Sequence, residues 1–229
     1  MELKTLEQYP IITKAIIKKI VGCDDSYAYT VLTRLLKRKK IKQIIKGKYT
    51  TGDNVYIIAT NLFSPSYLSF WSCSSFKGYT EQILNTVQIA TTKPIREIDF
   101  ENYTINFEKM PKKMFFGYEK KAVDNNNFIF VAEDEKLVID AIYHEELMGN
   151  FDEIVKVIES SDIEVDKLLN YLKEINNKSL TKRVGFLVER FRGVDFSKKI
   201  KYKDKNIVSL SGFIRNKKIN KKWQVKHDL

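Results

Sequence analysis

Apolar positions between residues 13 and 51 recur twice at helical spacing and then give way to two short extended runs. Thr13 stands where a helix N-cap belongs, and Ala15, Ile16, Ile20 and Val21 follow at helical intervals until Gly22 stops the pattern. Asp24 or Asp25 caps a second helix, in which Ala28, Val31, Leu32, Leu35 and Leu36 share one side. Ser26, Tyr27, Thr30, Thr33, Arg34 and Lys37 fall on the other side, which carries hydroxyls, an aromatic ring and cations but no carboxylate. After Arg38-Lys39-Lys40 come an apolar strand from Ile41 to Ile45, a glycine turn at Lys46-Gly47, and a second strand, Lys48 to Thr51. Helix, turn, helix and basic hairpin are the parts of a winged helix-turn-helix, whose second helix enters the major groove while the wing meets the neighbouring backbone. A surface helical hairpin whose lysines serve only solubility is the plainer alternative.

The remaining chain mixes both periods. Residues 2–9 suggest a short bracing helix that ends at Tyr9-Pro10, and Ile11-Ile12 a short strand beside the wing. Asn54 to Phe63 reads as an amphipathic helix. Ser64-Pro65 reads as the start of another that runs to Gly78, with Ser64 as N-cap and Pro65 at the first position. Strand patterns then follow at Val87 to Ala90, Arg96 to Phe100, Tyr103 to Phe107, Phe115 to Lys121 and Phe128 to Ala132. Helical patterns start at Glu133-Asp134 and cover Phe151 to Glu159, Val165 to Ile175 and Ser179 to Phe191. Extended patterns return at Ile207 to Phe213 and Lys222 to Val225, and Trp223 and Val225 predict a tail that packs on the body. The expected class is α+β. A winged helix-turn-helix DNA-binding domain spans 1–52, and a larger domain at 53–229 has a mostly antiparallel sheet and several helices.

Charge sharpens this picture. The chain of 229 residues carries a formal net charge of +11, which points to an acidic partner. Residues 1–51 hold 12 Lys/Arg against 4 Asp/Glu, residues 198–229 hold 11 against 2, and residues 52–197 hold 17 against 23. Two basic ends around an acidic body suggest nucleic-acid surfaces at the ends. DNA-binding candidates are Ser26, Tyr27, Thr30, Thr33, Arg34, Lys37, Arg38, Lys46, Lys48 and Tyr49. A second basic patch is expected at Arg215, Lys217, Lys218, Lys221 and Lys222. The 2 cysteines, Cys23 and Cys73, and the 2 histidines, His144 and His227, are too few for a Cys/His zinc site or a disulfide framework. No metal or cofactor is expected. No apolar run approaches a membrane span, and Lys4 and Glu7 lead into polar helix rather than an apolar leader, so a cytoplasmic protein is expected.

Four features in order resemble a known family: the basic wing ending in KGKY, the PSYLSFW…G segment at 65–78, the strand followed by EDEK at 133–136, and the closing SLSGFIRNKKINKKWQV. Together they resemble the AbiEi family of antitoxin-like transcriptional regulators from abortive-infection type IV toxin–antitoxin systems. The resemblance spans nearly the whole chain and lies in the order of the motifs. It implies a repressor of its own operon that reads inverted repeats in double-stranded DNA, with self-association on that DNA. Ser26–Lys40 would be the reading helix and Ile41–Thr51 the wing. The larger domain would support repression and counter a nucleotidyltransferase-like toxin. A stand-alone regulator with no toxin would share this architecture.

Two enzymatic signals compete. Glu133-Asp134-Glu135-Lys136 after a strand, with Asp99 upstream, are residue types with which a nuclease holds Mg²⁺. Asp134 also sits where acids favour a helix N-terminus, and Lys136 falls in the helix. The serines of 64–75 lack a visible histidine base and read as packing. His144-Glu145-Glu146 reads as the polar end of a helix. The expectation is no catalysis, with an adaptor for a protein partner as the remaining alternative.

Overall fold

The computed structural model describes residues 3–124, 127–200, 206–215 and 217–229. The parts of the expected helices and turns at residues 2, 125–126, 201–205 and 216 lie outside the described residues. The chain divides into two compact units: Met1–Leu68 with Asn85–Met110 and Lys120–Val131, and Ser69–Leu84 with Pro111–Glu119 and Ala132–Leu229.

The first unit opens with α1 (Leu3–Leu6), α2 (Lys14–Val21) and α3 (Asp25–Lys37), then the hairpin β1 (Lys42–Ile45) and β2 (Lys48–Thr50). Thr13 accepts the Ile16 N–H at 3.4 Å, and Gly22 ends α2 in the left-handed region at φ 68. Of the two candidate caps it is Asp24 that accepts the Tyr27 N–H, at 2.8 Å. The apolar faces converge on a small core of Leu6, Ile12, Ile17, Ala28, Leu32 and Ile41. Ile12 and Tyr49 exchange both backbone hydrogen bonds, at 2.6 and 2.9 Å, so the expected third strand is a single bridge beside β2.

After α4 (Val55–Leu62) come β3 (Ser66–Leu68), α5 (Phe70–Phe76), β4 (Thr86–Thr91), β5 (Ile98–Phe100), β6 (Tyr103–Lys109), β7 (Tyr118–Ala122) and β8 (Phe128–Ala132). These strands form one sheet in the order β5-β6-β4-β3-β8-β7. β3 pairs antiparallel with β4, and β5 with β6. β4 and β6 run parallel over six partner pairs, and β3 meets β8 in parallel at Leu68 and Val131. The class is α+β, and the sheet is mixed rather than mostly antiparallel. β4 is buried from Val87 to Thr91, as a central strand must be. The helix expected over 65–78 is corrected too. Ser66–Leu68 is a fully buried strand, and α5 begins only at Phe70 with Ser69 at its N-cap.

In the second unit, α6 (Asp134–Tyr143) packs against α5, α7 (Phe151–Ser160), α8 (Val165–Ile175) and α9 (Lys178–Arg192). It is buried continuously from Glu135 to Ile142, the signature of a helix enclosed on all sides. The tail forms β9 (Val208–Ser209), β10 (Lys218–Asn220) and β11 (Val225–His227), in the order β10-β11-β9. Trp223 lies over Gly185 of α9, where an added Cβ would come within 2.1 Å of the indole, so only glycine fits. The indole N–H donates to Glu189. The tail therefore packs on its unit as its apolar residues predict. No helix among the described residues is long and apolar enough to cross a membrane.

Candidate nucleic-acid interface

Burying Ala28 and Leu32 turns Ser26, Tyr27, Arg34 and Lys37 of α3 outward, and Arg38 follows them past the helix end. Lys46 stands exposed at the hairpin turn, where Gly47 takes φ 82. Among the described residues no ion pair holds Arg34, Lys37, Arg38 or Lys46. This leaves four cations on one helix and its hairpin with their charge uncompensated.

The other expected members differ. Thr30 and Thr33 are half-buried, and their hydroxyls donate back to the Ser26 and Tyr29 carbonyls at 3.0 and 2.9 Å. They can still accept, but their protons stay inside the helix. Tyr49 is half-buried against the small core. Lys48 turns away from the hairpin surface: its ammonium donates to the Leu62 carbonyl at the end of α4 and lies 4.1 Å from the Phe63 ring centroid. Burial lowers its pKa. Its cation is thus spent on the protein itself, which removes it from the interface set.

Two features escaped the sequence reading, which set Leu36 on the apolar side of the helix and gave Asp25 no role beyond a cap. Tyr29 is 66% exposed on the flank of α3, beside Leu36 at 36%. Their seven-residue spacing already places them on one stripe. Lys39 and Lys40, expected within the second helix, lie past its end at Lys37 and extend the exposed cationic run. Asp25, at the start of α3, binds the ammonium groups of Lys14 and Lys18 on α2, and these hydrogen bonds, Lys14's first, hold its carboxyl down at about 2. No local pattern announces that clamp, because it joins two helices.

The tail patch is only partly free. Lys222 bridges Glu189 and Asp195, at 2.6 Å each, and Lys217 lies 3.5 Å from Asp228. The Lys222 bond holds Asp195 at about 2. Arg215, Lys218 and Lys221 are exposed, with no ion-pair partner among the described residues.

The acidic motif is fully engaged. Glu133 takes the Tyr171 hydroxyl, and Asp134 takes the Lys77 ammonium, the Tyr79 hydroxyl at 3.0 Å and the Asp162 N–H at 2.7 Å. Glu135 takes the Glu164 N–H at 2.8 Å and lies 3.1 Å from Lys167. Lys136 pairs with Asp140 inside α6, both side chains fully buried, and Ser69 donates to Asp140 at 2.8 Å. Glu145 accepts the Gly212 N–H at 2.6 Å, and His144 meets Glu146 at 2.8 Å. Among the described residues no three His, Cys, Asp or Glu gather to hold a metal. Cys73 is buried, which pushes its thiol up to about 12, and Cys23 is half-buried.

No family model matches the chain, and no curated protein matches it significantly.

Proposed function

We propose that the protein is a cytoplasmic transcriptional regulator that binds double-stranded DNA through α3 and the β1–β2 hairpin, acting as a winged helix-turn-helix. The observation that carries it is the set of unpaired cations Arg34, Lys37, Arg38 and Lys46 on the side of the helix and hairpin that the core leaves exposed. Phosphates are the partner such a surface fits, and the Ser26 and Tyr27 side chains beside the cations supply groups for base edges. On the family resemblance the DNA is an inverted repeat in the protein's own operon. The second unit then counters a nucleotidyltransferase-like toxin, and a toxin gene next door would favour this over a solitary regulator.

Duplex binding measured by fluorescence anisotropy across salt concentrations tests the interface. Lys46→Ala weakens all duplexes alike and reduces the slope of log affinity against log salt by about 0.9. Arg34→Ala relaxes sequence preference, at a cost of about 1–3 kcal/mol on the preferred site. Lys48→Ala leaves the salt slope unchanged. Unaltered binding in both the Lys46 and Arg34 variants refutes the placement.

The same reading assigns no catalysis to the acidic motif, whose carboxylates accept protein donors throughout. Purified protein leaves DNA and RNA uncut in Mg²⁺. Cleavage that disappears in Glu135→Ala would reverse this.

A further inference from the structure

An open groove of about 430 Å³ lies at the end of α3. Leu36 is its one exposed apolar residue, with the buried Ile41 and Phe100 behind it; Lys39 stands on the α3 side, and Asp99 and Glu101 stand on the side of the β5–β6 turn. Lys42 already pairs with Glu101 and Asp53. That leaves two opposite charges over. Lys39 is exposed and has no ion-pair partner among the described residues. Asp99 is exposed and, among the described residues, its carboxylate accepts only the Thr104 hydroxyl, at 2.9 Å. Lys39 and Glu101 are both non-glycine residues in the left-handed region, at φ 53 and 54. Lys39 takes it just past the end of α3, where the Lys39 and Lys40 N–H groups donate to the Leu36 and Leu35 carbonyls at 2.9 Å, and Glu101 takes it in the tight turn between β5 and β6. The exposed stripe of Tyr29 and Leu36 leads along α3 toward the same end.

We propose that this groove is where a second copy of the chain docks. A two-fold interface uses one patch on both copies, so the patch must complement itself. A surface with a cation on one wall, an anion on the other, neither in an ion pair among the described residues, and the exposed Leu36 between them meets that requirement. Lys39 of each copy faces Asp99 of the other, and the two Leu36 side chains meet near the axis. Complementary charges at such a rim set register and exclude wrong partners more than they add affinity, so the pair forms at elevated concentration.

Sedimentation velocity on the full chain without DNA tests this separately from the proposed DNA binding. The 26.8 kDa chain shifts toward twice its mass as concentration rises. Lys39→Glu and Asp99→Lys each abolish the shift, since either change sets like charges against each other twice. The two single variants mixed one to one associate again, because each brings the charge the other lacks, and the double variant does so alone. Circular dichroism confirms that each variant is folded. A parent that stays monomeric throughout overturns the proposal, and so does a pair that ignores both charge reversals. A monomeric parent that instead takes up a free amino acid, with Lys39→Glu losing it, overturns it in favour of a small-ligand pocket.

Discussion

The lysines of the N-terminal segment do different jobs, and the difference lies in what each ammonium meets. Lys46 and Lys48 are two positions apart around one turn, yet one is exposed while the other caps the carbonyl end of α4. The alternation of the hairpin tells which face each side chain takes, but not that a carbonyl fourteen residues on will claim one of them. The same holds for Asp25. Sequence places it at a helix N-terminus, where a carboxylate is expected. Its binding of Lys14 and Lys18 follows only from how α2 and α3 cross. Because its pKa is depressed from 3.8 to about 2, the clamp stabilises fully above the unfolded value and is lost as pH falls through the folded one. Asp25→Asn releases both lysines beside α3, the helix proposed to meet DNA. Duplex affinity then rises, and the salt slope steepens by about 0.9 for each lysine that finds a phosphate. A slope equal to the parent's would show that Lys14 and Lys18 stay off DNA. Acid unfolding of the same variant loses the component between 3.8 and about 2.

Among the elements, helices with a long one-sided apolar pattern were the legible part. α8 runs from Val165 to Ile175 as its spacing dictates, and α7 and α9 agree within a residue or so at each end. β3 was not legible. Tyr67 and Leu68 sit in the middle of a sheet, buried on both faces, and three such residues carry no alternation to separate strand from helix. Nor does alternation along Tyr103 to Phe107 say that β6 runs parallel to β4. That direction is set by where the chain crosses, which is a non-local choice. α6 shows a further limit. Leu137, Val138, Ala141 and Ile142 recur at helical spacing and predict one apolar side, whereas the fold encloses the helix from Glu135 to Ile142 and with it Lys136 and Asp140. Burial lowers the Lys136 pKa while Asp140 holds the proton on. Removing one member strands a charge in the interior, at a cost of about 3–5 kcal/mol, whereas replacing both with apolar residues of similar volume costs far less. Urea unfolding should therefore rank Lys136→Met well below the parent and the double variant Lys136→Met, Asp140→Leu close to it. Equal loss in the single and double variants would mean that the pair is not the source of the penalty.

Across the whole molecule, positive charge gathers in the N-terminal 51 residues and the C-terminal 32, around a middle that is net acidic. Sequence told where the cations are, but not which ones the fold spends internally. Lys222 is spent, because it ties the tail to Glu189 and Asp195 beside the Trp223 anchor. Lys217 is partly spent on Asp228. Arg215, Lys218 and Lys221 remain as the exposed remnant of the expected patch. Changing Lys222 to test DNA contact would confound charge with folding, since the same substitution loosens the tail. Changing Arg215, Lys218 and Lys221 together to Gln keeps the anchor and removes three charges. If the tail meets DNA beyond the α3 site, the triple variant loses affinity for long duplexes more than for a single half-site. Its salt slope on long duplexes also falls by up to about 2.7, for three phosphates released. If long and short duplexes are bound as the parent binds them, the tail cations serve the protein's net charge and take no part in the interface.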